Sequence, residues 1–203
     1  MKKYLICFIV LIILFFNVNV YAESVLGIGY GKIVLPSNSD IYSLISPNGE
    51  DVSTPYIYWN TSVRDGFGYG LSFSGYNIKK YVKDSTGRVD TEWDVSHFSI
   101  FAQYQIPLSS NKLSPLLGLR LGGTIAPITY NASSTVTSSS GNKSANETKF
   151  GPCFGADIQI PLENTSFVVF GTVEKSIISS TILDQDINVG ALVYAVGLGY
   201  RFK

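Results

Sequence analysis

The sequence predicts an all-β protein, an eight-stranded antiparallel up-and-down transmembrane β-barrel. Three observations lead there. The first is the closing decapeptide, Tyr194 to Lys203, where Tyr194, Val196, Leu198, Tyr200 and Phe202 alternate with Ala195, Gly197, Gly199 and Arg201. Strand side chains point to opposite faces with period two, so one face is large and apolar and the other tiny or charged. The second is the chemistry of that smaller face along the chain, which is mostly Gly, Ser, Thr and Gln. A soluble surface carries more charge than this, whereas a membrane barrel turns its apolar band outward to lipid. The third is the spacing of connections, in which long polar segments alternate with short ones.

The eight strands follow in order. The first, about 24–34, sets Leu26, Ile28 and Tyr30 against Gly27, Gly29 and Gly31. The second, about 54–63, puts Ile57, Trp59 and Val63 on a face with Thr61, and Pro55 suits only its start. The third, about 66–77, opposes Phe67, Tyr69, Leu71 and Phe73 to Gly68, Gly70, Ser72 and Ser74. The fourth, about 93–106, opposes Phe98, Ile100, Ala102, Tyr104 and Ile106 to His97, Ser99, Phe101, Gln103 and Gln105. The fifth, about 115–126, has Leu117, Leu119, Leu121 and Ile125 opposite Gly118, Arg120, Gly122 and Thr124. The sixth, about 149–160, has Phe150, Phe154, Ala156, Ile158 and Ile160 opposite Gly151, Cys153, Gly155, Asp157 and Gln159. The seventh, about 165–177, has Glu174 on one face and Phe167, Val169 and Val173 on the other, and the eighth is about 189–202. Segments 35–53, 78–92, 127–148 and 178–188 then read as long polar loops, and 64–65, 107–114 and 161–164 as short turns. In bacterial barrels the long loops are extracellular and the short turns periplasmic, and an even strand count puts both termini in the periplasm.

The N-terminus suits export. Lys2 and Lys3 precede an apolar run from Tyr4 to Phe16, and Val20-Tyr21-Ala22 resembles a signal cleavage site. The run is about 13 residues, short of the ~20 that a spanning helix needs. Residues 1–22 are therefore expected to be a cleaved secretory signal peptide and 23–203 the barrel domain, in the cell outer membrane of a Gram-negative bacterium. Cys7 leaves with the signal, so Cys153 has no partner for an intramolecular disulfide. The mature chain carries thirteen basic and fifteen acidic residues, a balance that argues against nucleic-acid binding. No catalytic, cofactor-binding or metal site is expected, since one His and one mature Cys cannot build a ligand cluster.

The terminal Gly-Tyr-Arg-Phe (199–202), with the Gly-rich opening strand Ser24 to Gly31, resembles the Ail/OmpX family of small surface barrels, and more broadly the OmpA-like and opacity-protein barrels. Lys203 departs from that pattern by following the terminal aromatic. The resemblance implies recognition by the barrel-assembly machinery, and in some members host attachment or resistance to host defences. Expected partners are outer-membrane lipids, lipopolysaccharide and a host surface ligand met by the loops. The protein is expected to be a monomer.

Few inward positions carry charge. Arg120 and Asp157 fall nearly opposite if strands five and six form a hairpin, and a buried charge needs a partner. Glu174 and Arg201 join the same polar interior at other heights. This lumen cluster of Arg120, Asp157, Glu174 and Arg201 is expected to plug the barrel rather than select ions. His97-Phe98-Ser99 puts two groups on one inward face and resembles the His-x-Ser of the outer-membrane lipid A deacylases, a resemblance that implies an alternative, a lipid A-modifying hydrolase with Ser99 as nucleophile and His97 as base. Asp94 lies on the opposite face and supplies no third member. A narrow channel is the other alternative. Lys79, Lys80, Lys83 and Arg88 in segment 78–92 could touch lipopolysaccharide phosphates or an acidic host glycan, but Asp84, Asp90 and Glu92 dilute the signal and favour a solvated loop.

Overall fold

The computed structural model describes residues 23–34, 51–62, 66–84, 87–110, 114–136, 139–182 and 185–202. The expected signal segment 1–22, most of the first loop, the turn at 64–65 and Lys203 lie outside these residues. Ten strands are described: β1 (Glu23–Val34), β2 (Asp51–Ser62), β3 (Phe67–Asp84), β4 (Gly87–Pro107), β5 (Leu116–Val136), β6 (Ser139–Pro161), β7 (Phe167–Ser176), β8 (Ser179–Ile182), β9 (Gln185–Asn188) and β10 (Leu192–Phe202). Eight of them close into one antiparallel barrel in the order β1-β10-β7-β6-β5-β4-β3-β2, sealed by the pairing of β1 with β2. β8 and β9 form a separate hairpin between β7 and β10. Closure leaves no unpaired edge, which is the condition for crossing a bilayer with strands.

The alternation sets the faces. Leu26, Ile28, Leu119, Leu121, Phe154, Val196 and Leu198 are exposed on the outside. At the periplasmic end, outward aromatics pair across strands: Phe67 with Tyr104 and Phe167 with Tyr200, their ring centroids 4.8 and 5.5 Å apart. That is the amphipathic ring girdle of a lipid interface. Inside, Phe170 fills the space over the glycines of β1 and β10. A Cβ at Gly27 would come 2.6 Å from its Cε1, and one at Gly197 2.7 Å from its Cζ, so these glycines make room for one large ring. The turn between β6 and β7 is closed by Leu162 N–H donating to Phe167 O at 2.9 Å, with Asn164 in the left-handed region at φ 58°, where Asn is tolerated.

Three of the expected loops are corrected. The described residues of segments 78–92 and 127–148 are strand, because the β3–β4 ladder runs on to Asp84↔Gly87 and the β5–β6 ladder to Val136↔Ser139. Segment 178–188 contains the β8–β9 hairpin, and Ile178, Val189 and Ala191 at its base are buried in the barrel core. The wall is consequently uneven. β3 to β6 run 18, 21, 21 and 23 residues, whereas β1, β2, β7 and β10 run only 10 to 12. The reason is chemical. Beyond the lipid band the inward side chains turn apolar, with Tyr76, Ile78, Trp93, Val95, Ile128 and Tyr130 all buried, and the outward ones turn polar. A strand whose apolar face looks into its own core needs no lipid, so the ladders continue into water.

Candidate functional site

The lumen has three levels. At the periplasmic mouth a cavity of about 230 Å³ is bounded by residues that include Glu23, Asn60, Gln105, Gln159 and Arg201. Arg201 Nη1 lies 3.9 Å from Glu23 Oε2. Above it Gln159 Nε2 donates to Tyr58 Oη at 2.5 Å and to Asp157 Oδ2 at 3.0 Å, and Asn60 Nδ2 donates to Gln103 Oε1 at 3.2 Å.

The middle level is the charge cluster. β5 and β6 pair Gly118 with Asp157 and Arg120 with Gly155, so Arg120 and Asp157 are diagonal neighbours across glycines. Arg120 Nε donates to Asp157 Oδ1 at 2.9 Å, and the two side chains are 1% and 0% exposed. The guanidinium lies 4.6 Å from the ring centroids of both Tyr58 and Phe101, and its Nη1 donates to Tyr56 Oη at 3.1 Å. Glu174 sits one step higher, 3.9 Å from Arg120 Nη1. Three hydroxyls donate to its carboxylate: Ser72 at 2.8 Å, Ser99 at 2.5 Å and Tyr56 at 3.2 Å. Two carboxylates thus share one cation, and hydroxyls and the Gln159 amide supply them with further donors, while Arg120 Nη2 is buried without a hydrogen-bond partner. Desolvation of ions at this depth costs several kcal/mol each, which the pairing offsets.

Arg120, Asp157 and Glu174 are therefore brought together, while Arg201 stands apart at the mouth. Sequence reasoning missed Tyr56, Tyr58 and Ser72 as members. Tyr56 and Tyr58 share parity with Asn60, and that polar residue was the available sign that they face inward. Gly118 is also tighter than a small inward face suggests, since a Cβ there would press on Asp157 Oδ1 and come 2.6 Å from Gln103 Nε2.

The top level is apolar and closed. Trp93 and Tyr130 pack with their rings tilted by 45° and centroids 4.5 Å apart, and Ile33, Val95, Ile178 and Val189 belong to the same buried cluster. His97 Nε2 lies 3.1 Å from the carbonyl oxygen of Val189 and donates to it, tying the β7–β10 connection into the barrel mouth. Ser99 Oγ pairs with Thr124 Oγ1 at 2.8 Å as well as with Glu174. The described partners of His97 and Ser99 are thus different, and neither side chain faces lipid. A hydrolytic pair needs the base within reach of the nucleophile, which this arrangement does not supply. Among the described residues no group of three or more His, Cys, Asp and Glu could hold a metal ion.

Outside the barrel mouth, β3 and β4 carry the basic residues of segment 78–92. Lys79 Nζ lies 2.9 Å from Glu92 Oε1, and Arg88 Nη2 lies 2.6 Å from Asp90 Oδ1. Hydrogen bonds from Lys79 and then from Asn77 hold the Glu92 carboxyl below the usual range.

No family model matches the chain, and no curated protein matches it. Solved structures do. The crystal structure of OprG, an outer membrane protein from Pseudomonas aeruginosa, superposes with a TM-score of 0.62 at 13% identity, covering 89% of this chain and 96% of that one. The chain has the fold of the small outer-membrane β-barrels. Ail of Yersinia pestis, the attachment invasion locus protein, has the same fold, with a TM-score of 0.53 at 17% identity and coverage of 89% and 99%. Neisserial surface protein A gives 0.52 at 11%, covering 89% and 97%. The resemblance to the Ail/OmpX and OmpA-like barrels thus holds at the level of architecture, with identities this low fixing the fold and nothing finer.

Proposed function

We propose that this outer-membrane barrel is a non-enzymatic surface protein, whose function is to anchor the tall β3–β6 wall for contact with host or envelope surfaces. The observation that carries this reading is the asymmetry of the wall: four strands of 18 to 23 residues project beyond four of 10 to 12. The projecting part offers a broad, polar, hydrogen-bonded sheet, and exposed segments positioned by a rigid scaffold are where recognition concentrates. The filled lumen supports the same reading, because residues that would line a pore or a catalytic cleft are instead paired with one another. Ail, the attachment protein named above, has been crystallised with the heparin analogue sucrose octasulfate, which is consistent with saccharide contact by a barrel of this shape.

The test replaces the wall tops, residues 79–90 or 131–146, with short Gly-Ser turns and compares cells for surface binding. Assembly is checked by heat-modifiable gel mobility of outer-membrane fractions. Assembled barrels that have lost binding support the reading. Unchanged binding together with a lipid A species that vanishes in Ser99→Ala or His97→Ala overturns it in favour of the hydrolase.

A further inference from the structure

The connection between β7 and β10 crosses the barrel mouth. In the ring of eight strands β4 stands four places from β10, diametrically opposite it. His97 on β4 nevertheless meets the carbonyl oxygen of Val189, at the entry to β10, at 3.1 Å. The legs of the β8–β9 hairpin are closed on themselves, with the Val189 and Gly190 N–H groups donating to Ile178 O at 2.9 and 3.2 Å. Gly190 permits this tight return, since a Cβ there would press on Ser176 O and come 2.8 Å from Ile178 N. Ile178, Val189 and Ala191 are buried in the apolar top level. Side-chain hydrogen bonds tie this cover to the wall at two described points. One is His97. The other is Ser180 Oγ, which donates to Glu147 Oε2 at 2.7 Å, with Lys149 Nζ 3.0 Å from the same oxygen.

The two ties differ in chemistry. A carbonyl oxygen only accepts, so His97 in this contact carries its proton on Nε2. Its Nδ1 is buried with no hydrogen-bond partner. Protonation turns that bare lone pair into a second N–H with nothing to receive it, on a ring that now carries charge. Burying such a group is costly, and water removes the cost when the cover lifts. The neighbouring ionisable groups offer no substitute. Tyr76 on β3 has its ring centroid 5.9 Å away, and Glu174 on β7 lies one inward step lower, beside Ser99. The Glu174 carboxylate already accepts three hydroxyls and faces Arg120, and Tyr56 and Cys153 belong to the same lower group. On β6, Glu147 and Lys149 pair with each other. At this level β5 and β10 contribute the uncharged Ala126 and Val193. We propose that His97 is an acid-released latch: neutral, it holds the β8–β9 hairpin across the barrel mouth as a lid, and protonated, it lets the lid lift from the apolar top level. Closure is complete above the ordinary imidazole range, near ~6.5, and weakens as pH falls through it. The latch does not depend on what the wall binds, so it goes beyond the surface-protein reading.

The experiment uses the untagged mature barrel in nanodiscs at pH 7.5 and 5.5. His97 is the single histidine of the chain, so no other imidazole titrates between them. Amide hydrogen exchange over 177–182 and 185–190, corrected for its intrinsic pH dependence, reports the hairpin, and exchange over 98–106 reports the barrel. Protection of the hairpin is expected to fall about tenfold at the lower pH, because one pH unit below ~6.5 the charged imidazole outweighs the neutral one tenfold in an open lid. Protection over 98–106 is expected to hold. His97→Gln keeps an amide donor for Val189 and cannot titrate, so its hairpin is expected to be equally protected at both pH values. Glu147→Gln weakens the other tie and is expected to lower protection at both pH values while keeping the tenfold difference. Protection that is unchanged or rises on acidification overturns the latch. So does a pH dependence that survives in His97→Gln or disappears in Glu147→Gln. If the Gln variant does not assemble, His97→Asn, which also carries an untitratable amide, takes its place with the same expected result.

Discussion

The lower and upper parts of β4 and β5 follow one alternation with opposite chemistry. Below, Phe98, Ile100, Leu119 and Leu121 face out while His97, Ser99, Gln103 and Arg120 face in. Above, Trp93, Val95, Ile128 and Tyr130 face in while Asp94, Glu92, Thr129 and Asn131 face out. The backbone does not change phase between the two, because the ladder is continuous from Thr129↔Asn146 down to Leu119↔Ala156. What changes is the solvent. Lipid draws apolar side chains outward and leaves polar ones to pair inside, and water does the reverse. The level at which the pattern inverts, between Ile125 and Thr129 on β5, is therefore the upper edge of the membrane, written in the sequence of a single strand.

The largest effect is expected where the lower region has no alternative solvent. Arg120→Ala leaves Asp157 and Glu174 buried without their shared cation, and breaking a buried pair costs about 3–5 kcal/mol. Unfolding by urea in detergent or lipid measures it, and Arg120→Met with Asp157→Leu is expected to recover part of the loss. Additive effects in the double-mutant cycle would mean that the 2.9 Å contact carries no coupling.

The paired core substitution in the upper region is Trp93→Ala. It opens a void beneath Tyr130 and Ile178, with a cost of about 3–5 kcal/mol if the upper part melts together with the barrel. Should only the wall top loosen, hydrogen exchange over 87–95 would rise while the global unfolding midpoint stays put. That outcome would make the two regions separate cooperative units.

A charge scan on the outward face separates them more finely. Leu119→Arg, in the lipid band, is expected to cost about 2–4 kcal/mol and to reduce assembled barrel on heat-modifiable gels. The same Arg at Asn131, above the band, is expected to leave assembly unchanged. Equal penalties at both positions would remove the distinction between the regions.

The smallest effect concerns the exposed pair on the upper face. Glu92 has its folded carboxyl lowered by Lys79 and Asn77, so its contribution is present above the normal carboxylate range and lost as pH falls through the lowered value. The pair is solvent-accessible, so Lys79→Ala is expected to shift the thermal midpoint barely, if at all. A large shift would mean that the wall top is held by its surface charges rather than by the Trp93 core.

The lower region was legible because most lipid-facing positions are large and most inward positions small or polar, so parity alone assigned the faces of β1, β3, β4, β5, β6 and β10. The upper region was not, because apolar and polar residues there exchange faces and the outward-facing run Asn131, Ser133, Thr135 resembles a solvated loop. Tyr56 and Ser72 belong to the Glu174 cluster across the barrel, at sequence distances of 118 and 102 residues, and only closure of the sheet shows that. Arg120 and Asp157 were readable as neighbours because one hairpin joins them, and their burial follows from the same parity.

The inversion is tested most directly by a spin-label scan along β5 in lipid bilayers, in a Cys153→Ser background, with one label at a time at outward positions 119, 121, 125, 129, 131 and 133. Collision with oxygen reports lipid, and collision with a water-soluble nickel chelate reports water. The expected result is oxygen-dominated relaxation at 119, 121 and 125, nickel-dominated relaxation at 129, 131 and 133, and a crossover between 125 and 129. Lipid-like accessibility that continues to 133, or water-like accessibility already at 121, would contradict a membrane edge at the point where the side-chain pattern reverses.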